Sequence, residues 1–257
     1  MGKQKLNEYF ANIQDDNKNL FVPYIVAGDG GLDKLQERIK FLEDSGVAAI
    51  ELGIPFSDPI ADGPTIQAAS IRALEQGTTL KKVLEILHVS KDERKVPIIL
   101  MTYLNPIYAY GIEDFAADCE KVGVDGVIIP DIPLEEEELI ADHLKEHDIA
   151  FIRLAALTSG PDRLKEIAAK TEGFLYAVSV TGTTGTRVSH QDRVYGYLEE
   201  LKKYSNVPVL VGFGVSNSEQ AQKFSEYCDG VIVGSKIVDL FHQGKDDEVR
   251  KLIVKSL

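Results

Sequence analysis

Residues 124–155 read VDGVIIPDIPLEEEELIADHLKEHDIAFIRLA, and the order of elements in this stretch sets the architecture of the chain. VDGVIIP (124–130) and IAFIRLA (149–155) are near-continuous apolar runs of strand length, and the charged segment between them has the length and polarity of a helix. A strand that is apolar at almost every position is buried on both faces, the condition of a parallel sheet covered by helices. Working outward, FVPYIVA (21–27), VAAIEL (47–52), VPIILM (96–101), GFLYAVS (173–179), VPVLVG (207–212) and DGVIVG (229–234) bring these runs to eight. Helical segments such as DKLQERIKFLEDSG (33–46) separate them. Eight strand-helix units predict an α/β fold, a single (β/α)8 TIM barrel, with residues 1–257 as one domain rather than two smaller ones. Residues 53–95 are too many for one loop and one helix, so an extra loop and helix are expected after the second strand. Residues 4–14 predict an additional N-terminal helix capping the N-terminal mouth of the barrel.

Composition narrows the function. The 41 acidic and 28 basic residues give a net charge of −13, which repels nucleic-acid backbones and anionic membranes, so a small molecule or a protein is the expected partner. No apolar run reaches the roughly 18 residues of a membrane span, and MGKQKLNEYF lacks the apolar core of a signal peptide; a cytoplasmic location is expected. Cys119 and Cys228 have neither CxxC nor Cys/His spacing and read as small buried apolar residues. No metal site is expected. The acidic run Glu135–Glu138 reads as the dipole-complementing start of a helix, and Ser216 with Glu219 as a capping box.

In such a barrel the reactive groups sit at the C-terminal strand ends and in the loops after them. Glu51 interrupts the apolar run VAAIELG near its end, and alternation places Val47, Ala49 and Glu51 on one face. A carboxyl among apolar neighbours loses hydration, which raises its pKa and suits it to acid and base work; a salt-bridged strand-end glutamate is the alternative reading. Asp58 and Asp62, in IPFSDPIADGPT, read on their own as turn residues. Gly212-Phe213-Gly214 and Gly234-Ser235 follow the seventh and eighth runs, where barrels hold phosphate on backbone amides and a helix N-terminus. SVTGTTGTRVSH (179–190) lacks apolar periodicity and predicts a mobile loop able to close over the site.

ELGIPFSDPIADGPTIQAAS (51–70) resembles the signature segment of tryptophan synthase alpha chains almost residue for residue. FVPYIVAGD (21–29), MTYLNPI (101–107), GVDGVIIPDIPLEE (123–136), VGFGVS (211–216) and VGSKIV (233–238) resemble that family's other blocks in the same order, so the likeness spans the chain. It implies retro-aldol cleavage of indole-3-glycerol phosphate to indole and glyceraldehyde 3-phosphate. By the same resemblance Glu51 is the acid and base, and Asp62 accepts a hydrogen bond from the indole N–H. Tyr24, Met101, Tyr103, Tyr176 and Thr184 would touch substrate; Gly185, Gly212, Phe213, Gly214, Gly234 and Ser235 would hold phosphate. No cofactor is implied in this chain, whereas pyridoxal phosphate would belong to a partner beta chain in an alpha2-beta2 heterotetramer, contacted through residues 53–62. The chain departs from the family pattern at Gly30, where many members have proline, at Thr183, where valine is usual, and at Lys236, where many have alanine.

A Schiff-base aldolase would need a strand-end lysine, and Lys236 alone lies just past a strand; indole-glycerol phosphate synthase, the nearest alternative by substrate, also relies on strand lysines, and Lys95 precedes its strand, at the wrong barrel end. A metal aldolase would need clustered ligands, and His88, His143, His147, His190 and His242 fall in predicted helices or loops. A non-catalytic phosphate-binding barrel is the third alternative, against which the presence of both Glu51 and Asp62 argues.

Overall fold

The computed structural model describes residues 2–179, 187–212 and 214–257, residues 187–191 through their backbone alone. In chain order the elements begin with α1 (Lys3–Asp15), β1 (Leu20–Val26), α2 (Leu35–Glu43) and β2 (Ile50–Gly53). Two helices, α3 (Pro64–Glu75) and α4 (Leu80–Val89), then precede β3 (Ile98–Met101). The order continues α5 (Leu104–Tyr110), α6 (Ile112–Val122), β4 (Gly126–Ile128), α7 (Glu138–Glu146), β5 (Ala150–Ala156), α8 (Pro161–Lys170) and β6 (Leu175–Val178). It ends α9 (Arg187–Tyr204), β7 (Val209–Gly212), α10 (Ser218–Ser225), β8 (Gly230–Val233), α11 (Ser235–His242) and α12 (Asp246–Ser256). The strands pair in parallel in this order and close, β1 against β8, into a barrel. The barrel, the N-terminal helix and the inserted α3 are all as the sequence predicts.

Strand alternation divides the apolar residues into two layers. Val22, Tyr24, Ala49, Ile99, Met101, Ile128, Ile152, Tyr176, Leu210 and Ile232 form one cluster inside the barrel. Phe21, Ile25, Ile50, Leu52, Leu100, Val127, Phe151, Leu175, Val211 and Val231 form the other, packed under the helices. This double burial is why the strand sequences are apolar at nearly every position. Leu6 and Phe10 of α1 join the inner cluster, Phe10 against Phe174 with ring centroids 6.0 Å apart, so α1 closes the N-terminal mouth.

Four local readings need correction. Val47 does not share a face with Glu51: β2 begins at Ile50, Val47 packs in the outer layer, and only Ala49 and Glu51 keep the alternation. The acidic run opens α7 only with its last two residues: Glu137 is the N-cap and Glu138 the first helical residue, while Glu135 and Glu136 lie in the turn before it. Glu137 is buried against Arg153 (2.7 Å) and Lys170 (3.2 Å), and Glu135 pairs with Arg163, so these charges hold the β4–α7 turn to α8 and β5. The cap of α10 is Asn217, whose side chain accepts from the Gln220 amide, while Ser216 donates to the Gln220 side chain; Glu219 takes no part. Residues from Arg187 onward, expected within a mobile loop, have helical backbone at the start of α9.

Candidate active site

β2 carries Glu51 into the barrel at the level of Tyr24 on β1, its pairing partner in the sheet register, with Ile99 on the other side. Glu51 is fully buried, and neither carboxylate oxygen has a hydrogen-bond partner among the described residues. Burial, reinforced by the nearby Asp62 charge, pushes its pKa from 4.5 up to about 8. At neutral pH the group is therefore a neutral acid that has not already spent its proton on a neighbour.

Asp62 ends the long β2–α3 loop. Gly63 caps α3 and Pro64 occupies its first turn, where a missing N–H costs nothing and the fixed φ suits the helix, so the chain turns into α3 directly after Asp62. The Tyr103 hydroxyl donates to Asp62 Oδ2 (3.1 Å) and accepts from the Ala61 amide (3.0 Å). Burial raises the Asp62 pKa, and the Tyr103 hydrogen bond opposes that rise. Tyr24 and Tyr176 are pushed well above the ordinary phenol value, first by burial and then by the two carboxylates, so both remain neutral.

Glu51 and Asp62 line a cavity of about 280 Å³ together with Tyr24, Met101, Tyr176, Gly214, Gly234 and Ser235. The carboxylates come from the β2 side and the glycine loops from β7 and β8. Tyr24 stands between the two, its Cβ within 3.5 Å of where a Gly234 side chain would begin. Gly234 caps the N-terminus of α11, a helix end whose first backbone N–H groups lack intrahelical partners and suit an anion.

Two predicted residues stand elsewhere. Tyr103 lies behind Asp62 and orients it, with Phe56 against its ring at a centroid distance of 5.3 Å. Gly212 does not line the cavity. A Cβ there would lie 2.3 Å from the Tyr176 ring, so its lack of a side chain makes room for Tyr176. Thr184, Gly185 and Phe213 lie outside the described residues, as does Thr183.

Ile66, Val215, Ser216, Ile232 and Lys236 also line the cavity. Ile232 was recoverable from alternation, two residues before Gly234; Ile66, an apolar residue in the first turn of a helix, carries no mark that separates it from core. No cluster of His, Cys, Asp and Glu able to hold a metal ion occurs among the described residues.

This arrangement, an unpaired acid, a second carboxylate and an anion-ready helix end around one apolar cavity, coincides with a match along nearly the whole chain. The tryptophan synthase alpha chain family profile matches residues 10–256. The chain belongs to the tryptophan synthase alpha chain family. The alpha chain of Oceanobacillus iheyensis is 58% identical over 257 residues, covering 100% of this chain and 98% of that one. That of Bacillus cereus is 47% identical over 253 residues, covering 98% and 96%. Among solved structures, the ligand-free tryptophan synthase from M. tuberculosis superposes with a TM-score of 0.88 at 30% identity, covering 98% of this chain and 96% of that one. The activity of the family is the alpha reaction of tryptophan synthase, a carbon–carbon lyase step of tryptophan biosynthesis, and this chain is a lyase of that class.

Proposed function

We propose that Glu51 and Asp62 divide the retro-aldol cleavage of indole-3-glycerol phosphate between them. Glu51 starts protonated and gives its proton to ring carbon C3, leaving positive charge on the indole nitrogen that Asp62 balances while accepting its N–H. The resulting carboxylate takes the proton of the side-chain hydroxyl. The O–H electrons become the aldehyde C=O, and the carbon–carbon bond pair returns to the ring, neutralising the nitrogen. Indole and glyceraldehyde 3-phosphate leave, and Glu51 is again protonated. Tyr24, Met101, Tyr176 and Thr184 surround the indole and the glycerol chain. Gly214, Gly234 and Ser235, with Gly185 and Phe213, hold the phosphate; Gly212 supports that loop through Tyr176. The observation that carries this reading is Glu51, buried without a partner and with its pKa near 8.

Glu51→Gln, nearly isosteric, should keep the fold and lower kcat by a factor of about 10,000, the upper end of acid-base contributions, because one group serves two transfers. A folded variant retaining over a tenth of the activity rejects Glu51 as catalyst.

The chain works as one domain, residues 1–257, in the cytoplasm and without a cofactor of its own. Its partner is a beta chain that holds pyridoxal phosphate and receives the indole, in an alpha2-beta2 heterotetramer. The β2–α3 loop supports that contact: it leaves Ile60 84% exposed, and Tyr108 on α5 and Leu139 on α7 are exposed as well.

A further inference from the structure

Asp29 lies in the turn after β1, is 3% exposed, and has no part in the chemistry above. Arg72 of α3 holds its carboxylate bidentately, Nε to Oδ1 at 2.7 Å and Nη2 to Oδ2 at 2.9 Å. Arg38 of α2 donates to the Asp29 carbonyl. Gly28, Gly30 and Gly31 give the turn its path, with φ of 82°, 82° and 111°, and a proline cannot adopt the Gly30 value. Gly28 packs on Thr78, just beyond α3, so closely that a Cβ would lie 2.1 Å from the Thr78 hydroxyl. The turn thus grips the C-terminal end of α3 at two points.

The other end of α3 begins two residues after Asp62, and Gly63 and Ile66 line the cavity. Among the described residues the Asp62 side chain has a single hydrogen bond, from Tyr103, so its remaining placement follows from where α3 starts. A helix of 12 residues is a rod about 18 Å long, and Ile66, Ala69 and Ala73 seat it on the inner cluster. A tilt at its clamped end moves Asp62 at the other. We propose that the Asp29–Arg72 pair is a positioning element for Asp62, fixing the angle of α3 so that the carboxylate meets the indole N–H. The inference rests on the role given to Asp62 above. An arginine fork suits this task because two parallel bonds fix direction as well as distance.

The test is a double-mutant cycle with Asp62→Asn, using the full chain, indole-3-glycerol phosphate turnover and a melting curve for each variant. Arg72→Met should lower kcat about 10- to 100-fold with KM nearly unchanged, since displacements near 1 Å cost about that much. Arg72→Lys should recover part of the loss. In the Asp62→Asn background Arg72→Met should cost less than about twofold, because the group it positions is already disabled. An equal loss in both backgrounds would mean the pair merely supports the fold, and the inference fails. If Arg72→Met does not fold, Asp29→Asn replaces it in the same cycle, and additivity there overturns the proposal equally. Full turnover by Asp62→Asn alone would instead remove the role of Asp62, a result visible before Arg72 is touched.

Discussion

Glu51 costs the protein stability in proportion to its usefulness. A carboxyl whose pKa rises from 4.5 unfolded to about 8 folded binds its proton more tightly in the native state. Stability from this group is therefore fully present below about pH 4.5 and declines as the pH rises toward about 8, where the buried group must ionise. The full span corresponds to at most about 5 kcal/mol. Glu51→Gln has no such titration. Melting curves from pH 5 to 9 should show the variant gaining on the wild type as pH rises, with the gap levelling off above about pH 8. Parallel curves would mean that Glu51 ionises like an exposed glutamate, and a donor role at neutral pH would then be untenable. The activity should hold through neutral pH and fall only as the pH passes about 8, since only the protonated form of the folded enzyme can start the reaction. These properties were visible in VAAIELG because a lone carboxylate in an apolar run has few places to go. The Tyr103–Asp62 and Arg72–Asp29 bonds were not, because each joins residues more than 40 positions apart that only the pairing of neighbouring strands, β2 with β3 and β1 with β2, brings together.

At the scale of elements, the eight strands were legible because burial on both faces leaves no polar positions to blur the pattern. Their first residues were not: Val47, Val96, Val124 and Val207 precede strands that start two or three residues later. Three of these are already buried, so apolarity begins before the ladder does. Capping chemistry is ambiguous for a similar reason, as Ser216 and Asn217 can each cap and only the backbone path chooses Asn217. The β2–α3 loop was legible as an insertion, and its exposed tip has a testable consequence. Ile60→Asp should leave the melting temperature of the isolated chain unchanged, because the side chain touches little, yet raise the dissociation constant for a beta chain about tenfold, or 1.4 kcal/mol. Unchanged affinity would place the contact elsewhere.

For the whole molecule the question is how a chain of net charge −13 retains an anionic substrate. Its long-range field opposes binding, so attraction has to be local, and the phosphate site proposed at the N-terminus of α11 beside Gly214 would supply it through backbone N–H groups and the helix dipole. Binding to the folded state alone stabilises it by mass action, about 2.7 kcal/mol at a hundred times the dissociation constant. Glycerol 3-phosphate at that level should raise Tm by roughly 5–10 °C for a chain of this size. Ser235→Asp separates ligand from scaffold. Ser235 is exposed and is the first residue of α11, where a carboxylate complements the dipole, so the ligand-free protein should melt at or slightly above the wild-type temperature. The same carboxylate sits where the phosphate must arrive and competes for the same N–H groups, so the ligand-dependent rise in Tm should disappear. A Ser235→Asp protein still stabilised by glycerol 3-phosphate would show that the anion binds away from α11. The cavity between Glu51 and Gly234 would then have to be read without a phosphate in it.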